Sequence, residues 1–133
     1  MKGKPVITPV HLTATYKFDT SDDLIDVVQN RSGYIYSRWD NPSIVDVEKD
    51  VAALEGYDHA LGFGSGMAAI TNAVMANIKA GGKIVATHEL YGGTYDLLNN
   101  VLSGFGVETV LINCWKTEEI LEEIEKGLSI LYL

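Results

Sequence analysis

From Pro42 onward, short β-branched runs alternate with helical patterns across connections of a few residues. No other feature constrains the fold as tightly. Strand, helix and strand in quick succession leave no place for a hairpin return, so neighbouring strands run parallel with helices on the faces. Pro42 suits the first helical position and Gly56 suits a stop, and between them Ile44, Val47, Val51 and Leu54 recur at helical spacing. His59 to Phe63 reads as a short strand entering the glycine-rich turn Gly64-Ser65-Gly66. Met67 to Ile78 follows as a second helix, closed by Gly81-Gly82. Lys83 to Thr87 is β-rich, Thr94 to Leu102 is a third helix ended by Gly104, and Val107 to Ile112 is strand-like. Thr117 caps a fourth helix with an acidic first turn and Lys126-Gly127 at its end, the favourable dipole sense. Ser129 to Leu133 begins another strand. The expected class is α/β, a mainly parallel sheet flanked by helices.

The first forty residues lack this rhythm. Val6 to Tyr16 reads as an extended arm, Ser21 to Gln29 as a short helix capped by Ser21, and Asn30 to Asn41 as a polar, aromatic loop. The chain therefore divides into an arm, residues 1–41, and an α/β domain, residues 42–133, that stops on an apolar strand and reads as incomplete. Hydrophobic residues make up 47% of the 133, enough for a real core. A net charge of −8 argues against sequence-independent nucleic-acid binding, which needs a basic surface to displace counterions. Nowhere do about 18 apolar residues run together, so no membrane span is expected, and no signal-peptide core follows Met1 to Pro5. Cys114 is the only cysteine and reads as a small buried residue, which suits a reducing cytoplasm. His11, His59 and His88 show no ligand spacing, so no metal is expected, and Trp39 and Trp115 read as packing residues.

Three stretches carry possible chemistry. In Phe63-Gly64-Ser65-Gly66-Met67-Ala68-Ala69-Ile70 a tight turn opens directly into an apolar helix. Free N–H groups and the helix dipole then face whatever lies above, and glycines admit an anion closely. The same letters also suit a close-packed turn with no ligand. In Tyr36-Ser37-Arg38 a guanidinium fork matches phosphate oxygens, and an extended backbone sends both side chains to one side. A salt-bridged surface loop is the plainer alternative. Tyr91-Gly92-Gly93-Thr94 lies just past the carboxyl end of the Lys83–Thr87 strand, where open parallel sheets bind ligands. Tyr91 there suits either a ring laid on a planar heteroaromatic group or simple packing at a sheet edge.

Together these stretches resemble the Cys/Met-metabolism family of pyridoxal-phosphate (PLP) enzymes, which includes cystathionine γ-synthase, cystathionine γ-lyase, methionine γ-lyase and O-acylhomoserine sulfhydrylases. The likeness rests on Tyr36-Ser37-Arg38 followed by Asn41-Pro42-Ser43, on Ser65 to Ile70, and on Tyr91 to Thr94, matched in order and separation. Ser43 stands where threonine is usual. The resemblance implies a fold-type-I large domain and a cofactor site in which Ser65, Gly66 and Met67 hold the PLP phosphate. It implies that Tyr91 stacks on the pyridine ring, the one catalytic position in this stretch. It implies that Tyr36 and Arg38 reach the phosphate of a neighbouring subunit, so the arm lies across a partner and the protein self-associates. The substrate is then a small homoserine-derived amino acid, and the reaction makes or breaks a C–S bond. In the family, the Schiff-base lysine and the acid facing the pyridine nitrogen come later than the end of this chain. None of Lys2, Lys4, Lys17, Lys49, Lys79, Lys83, Lys116 or Lys126 lies in such a motif, so the chain is expected to be inactive alone.

Two other readings stay open. Gly64-x-Gly66-x-x-Ala69 satisfies a relaxed dinucleotide fingerprint, with Glu89 placed about where a ribose-binding acid sits. Alternatively, the chain is a non-catalytic remnant that only associates with other subunits.

Overall fold

β1, Lys83–Thr87, is the middle strand of a three-stranded parallel sheet in the computed structural model, which describes residues 5–113 and 115–133. The reading of Cys114 as buried lies outside the described residues. On one side β1 pairs with β2, Glu108–Ile112, and on the other with β3, Ile130–Tyr132. Val85 stands opposite Val110 in one register and Leu131 in the other. A strand paired on both edges and covered on both faces must be apolar throughout, and Ile84, Val85, Ala86 and Thr87 are all buried. This is the expected α/β class.

The core builds on one face of β1. Ile84 and Ala86 pack with Val74, Leu97, Leu98, Leu102 and Val107, each full burial of a large aliphatic side chain contributing about 1.5–3 kcal/mol. The strand order β2-β1-β3 means that the chain steps to one side of β1 and then returns to the other. In open parallel sheets such a reversal is where ligands bind, at the carboxyl ends of the strands, and the segment leaving β1 there carries Tyr91.

Helix boundaries follow backbone geometry where the letters pointed elsewhere. α1 spans Ser21–Asn30, and its cap is Thr20, not Ser21. Thr20 has the extended backbone a cap requires, and its Oγ1 accepts from Asp23 N at 3.1 Å. α2, Pro42–Glu55, starts on Asn41 and stops at left-handed Gly56 as anticipated. Its stripe of Ile44, Val47, Val51 and Leu54 is exposed, while Ala52 is buried; periodicity marks a face but not what covers it. α3 spans Gly66–Asn77 with Ser65 as cap, and Ile78 has already turned extended.

The third helix departs most. It begins earlier, as α4 over Gly92–Asp96, widens into a π turn over Leu97–Val101, tightens into a 3₁₀ turn over Leu102–Phe105, and ends at Gly106 instead of Gly104. Leu102 N bonds to Leu97 O five residues back, which stacks Leu102 over Leu97, and both are buried with Leu98. Gly106 has φ +76°, whereas Gly104 is not left-handed. Thr117 is the first residue of α5, Thr117–Glu125, and not its cap, because Lys116, whose N bonds to Asn113 O, holds the cap position.

His59 to Phe63 forms no strand. Extended residues become a strand only through a paired neighbour, and Gly62 N instead bonds to Glu48 Oε1 at 2.7 Å. Trp39 and Trp115 are exposed, contrary to their reading as packing residues, since each sits in a turn that no described layer covers. The chain divides into two compact units, one ending at Gly62 and the other beginning at Phe63.

Glu123 ties α5 to the start of β1 through Lys83 and also pairs with Lys126 at 2.8 Å. Hydrogen bonds from Lys126 and then Lys83 hold its carboxyl below the usual range, and its own carboxylate holds Lys126 above the usual lysine range. A depressed carboxyl contributes stability above its unfolded value of about 4.3 and loses it as pH falls through the folded value. The raised Lys126 contributes below about 10.4 and loses its share as pH rises further. Glu123→Gln is expected to lower the urea midpoint at neutral pH. The gap from the unsubstituted chain should close in acid, as paired urea titrations at the two pH values will show.

Candidate functional site

In the first unit, the Tyr36 loop is stitched to the arm. Thr15 and Tyr36 form an antiparallel bridge, with Tyr16 N bonded to Ile35 O and Ser37 N bonded to Ala14 O at 2.8 Å. The chain turns at once after Tyr36, because Trp39 N and Asp40 N both bond to Tyr36 O. It is therefore a turn, not an extended segment, that puts Tyr36 and Arg38 together. The Arg38 guanidinium carbon lies 5.1 Å from the Tyr36 ring centroid, a cation–π contact. Arg38 also lines a groove of about 500 Å³ with Arg31, Gly33 and Trp39.

The residue that organises this loop is Asn41, which sequence reasoning treated only as part of a motif. It is buried, and its Nδ2 donates to Ser37 Oγ at 2.9 Å and reaches His11 O and Thr13 O at 3.3 and 3.4 Å. Its Oδ1 accepts from Ser43 N at 2.9 Å, capping α2, and Ser43 Oγ accepts from His11 N at 2.8 Å. A serine hydroxyl supplies that last acceptor as a threonine would, so the departure at Ser43 costs the clamp nothing. The signal was present as an asparagine at a helix cap, but its partners His11 and Thr13 lie about thirty residues away and cannot be read locally.

In the second unit, Ser65 Oγ accepts from Ala68 N at 3.1 Å, and Ala69 N closes the first backbone bond to Ser65 O. Gly66 N and Met67 N have no hydrogen-bond partner among the described residues. A Cβ built on Gly64 or Gly66 would meet nothing within 4 Å, so the space over the turn is open. Two unused donors, a hydroxyl proton still free on Ser65, and the positive end of a twelve-residue helix converge on that space. Its chemistry fits an anion.

Tyr91 lies beside it. The segment leaving β1 turns at His88–Leu90, and Tyr91 O accepts from Thr94 N and Tyr95 N at the start of α4. Tyr91 is 73% exposed. The two loops meet: a Cβ at Gly93 would fall 2.8 Å from Tyr91 Cε1 and 3.1 Å from Met67 Sδ, and Thr94 Oγ1 lies 3.8 Å from the same sulfur. Ser65, Gly66, Met67 and Tyr91 thus share one mouth. Gly93 and buried Thr94, which hold it together, stood in the sequence only as part of the Tyr91 to Thr94 motif, with no sign that they join the two loops. A second groove, about 540 Å³, runs along α3 and β3 past Ala69, Ala73 and Tyr132, away from the α3 N-terminus. The dinucleotide fingerprint loses its context here, because it requires a strand feeding the glycine turn.

A family model described as Cys/Met metabolism PLP-dependent enzyme matches residues 2–133. The chain belongs to that family. An L-methionine γ-lyase of Porphyromonas gingivalis is 38% identical over 127 residues, 95% of this chain and 32% of that protein. A cystathionine γ-lyase of Mus musculus is 38% identical over 116 residues, 87% of this chain and 27% of that protein. The crystal structure of metB from Corynebacterium glutamicum superposes with a TM-score of 0.79 at 32% identity, covering 97% of this chain and 32% of that one. The chain spans about a third of the length of the relatives it matches. In this PLP family member, therefore, the parallel sheet and its flanking helices are the shared fold, and no helix among the described residues is long and apolar enough to cross a membrane.

Asn41→Ala is expected to destabilise the first unit by about 1–2 kcal/mol, combining a lost helix cap with the lost amide hydrogen bonds to Ser37 and the arm. Asn41→Asp, which keeps the cap acceptor but loses the amide donors, should fall between. Urea unfolding gives the cost, and faster proteolysis of residues 5–14 reports release of the arm.

Proposed function

We propose that the chain is the PLP-binding part of a transsulfuration enzyme that makes or breaks C–S bonds of homoserine-derived amino acids, of the cystathionine γ-synthase or γ-lyase type. The observation that carries this reading is the pair of unpartnered N–H groups at Gly66 and Met67, next to an exposed Tyr91 ring, in a member of a PLP-dependent family. The Gly66 and Met67 amides and the Ser65 hydroxyl hold the phosphate. Charge-assisted hydrogen bonds of this kind contribute about 1.5–3 kcal/mol each. Tyr91 lies against the pyridine ring. Bound PLP supplies an electron-accepting ring that stabilises negative charge on the substrate carbon, while the protein binds and orients.

Tyr36 and Arg38 complete the phosphate site of a neighbouring subunit, with residues 1–41 as an arm lying across that partner and residues 42–133 as the PLP-binding α/β part. Self-association draws support from the exposed stripe of Ile44, Val47, Val51 and Leu54, since apolar surface of this extent favours burial against another chain. The cofactor-bearing lysine role is assigned to no lysine of this chain. Lys83, Lys116 and Lys126 already hold carboxylates. By itself the chain then binds cofactor without turning over substrate. A lone cysteine agrees with a cytoplasmic setting.

Calorimetric titration separates this reading from a dinucleotide site: PLP and inorganic phosphate should bind, and NAD should not. Tyr91→Ala should weaken PLP roughly 2- to 10-fold, the scale of a lost stacking contact, and leave phosphate unchanged. NAD binding as tight as PLP would sink the proposal, and stoichiometric borohydride trapping at one lysine would overturn the assignment of inactivity. Light scattering at micromolar concentration should give an oligomer; a monodisperse monomer counts against the shared site.

A further inference from the structure

Gly92 and Gly93 open α4 side by side, yet their surroundings are opposite. A Cβ added at Gly92 meets nothing within 4 Å. One added at Gly93 would lie 2.8 Å from Tyr91 Cε1, 3.3 Å from Tyr91 Cδ1 and 3.1 Å from Met67 Sδ, well inside the roughly 3.5–4.0 Å at which carbon atoms pack. Neither glycine has a positive φ, so backbone conformation does not require glycine at either place. Alanine would also be the better helix former at both. Gly93 therefore runs against local propensity at a point where the only thing gained is room.

Two groups use that room. On one side is the thioether of Met67, which packs against the core and is met from below by the buried Thr94 hydroxyl. On the other is the edge of the Tyr91 ring, which is largely exposed and makes no side-chain hydrogen bond among the described residues. The ring is thus steadied from beneath, at Gly93, and free above. We propose that Gly93 is a positioning residue: the gap at its α-carbon seats the Tyr91 ring edge beside Met67 and so sets the plane that Tyr91 presents to the pyridine ring of PLP. This rests on the PLP reading of Tyr91. It adds a link between the two loops, because Met67 belongs to the phosphate turn and Tyr91 to the ring contact. The gap at Gly93 then fixes the offset between the two.

The test compares Gly92→Ala, Gly93→Ala, Tyr91→Ala and the Gly93→Ala/Tyr91→Ala pair in the full chain. Three quantities are read: the ¹³C-methyl NMR shift of Met67 without ligand, the PLP dissociation constant, and the inorganic phosphate dissociation constant. Gly93→Ala should move the Met67 methyl signal and weaken PLP about 2- to 10-fold, with phosphate binding unchanged. Gly92→Ala should alter neither, and in the Tyr91→Ala background Gly93→Ala should add less than about twofold, the sign of coupled neighbours. Equal losses in both backgrounds, or equal effects at Gly92 and Gly93, overturn the proposal. So does an unmoved Met67 signal with unchanged PLP affinity. If Gly93→Ala alone fails to fold, recovery of folding in the double variant supports the proposal and its absence overturns it. No PLP binding by the unsubstituted chain sinks the proposed function and this inference with it, whereas an indifferent Gly93→Ala in a chain that binds PLP sinks this inference alone.

Discussion

The pairing of β1 on both edges is the constraint from which the second unit follows. A strand held between two parallel neighbours exposes neither edge, and its two faces must then be covered. Ile84 and Ala86 meet that demand through α3 and the leucines of the π and 3₁₀ turns, and Val85 and Thr87 are buried on the opposite face. Because the chain reverses about β1, the carboxyl end of that strand is where an open parallel sheet of this order takes a ligand. The Tyr91 loop leaves the sheet there.

What makes that end of the unit chemically useful is incomplete satisfaction. A helix begins with four N–H groups that have no intrahelical acceptor. At α3, Ser65 supplies an acceptor for Ala68 N, and Gly66 N and Met67 N stay free. Such donors are tolerated where solvent or a ligand can reach them, and the absence of side chains at Gly64 and Gly66 keeps that access open. The first unit is organised in the opposite way. There, Asn41 uses both ends of its amide to join the arm, the Tyr36 turn and the start of α2, so a single buried side chain fixes where Tyr36 and Arg38 stand.

Parts of the site were legible in the letters, and the reason is local. Ser65 before a glycine and an apolar run specifies a capped helix start whatever the surroundings, and Pro42 with Gly56 brackets α2 for the same reason. Lys83–Thr87 reads as a buried strand because the four residues after Lys83 are apolar or small enough to be covered. The misreadings share a different cause. Gly104 and Gly106 look alike as stops, and the choice fell to the one whose backbone turns left-handed after Leu102 is packed. His59 to Phe63 has the composition of a strand but no neighbour to pair with among the described residues. The α2 stripe has the spacing of a buried face but nothing described to bury it.

By itself, the sequence determined most element types, the parallel sense of the sheet, the capped turn at Ser65 and the motifs that mark a PLP family. These depend on residues within a few positions of one another, where dihedral preference and hydrogen-bond supply act directly. Only the tertiary structure decided that Met67 and Tyr91 meet across Gly93, that Asn41 reaches back to His11 and Thr13, and that a π turn carries Leu97, Leu98 and Leu102 into one core. Those contacts join residues separated by as many as thirty positions. Their energy is gained only when packing brings the segments together, and no local preference encodes it.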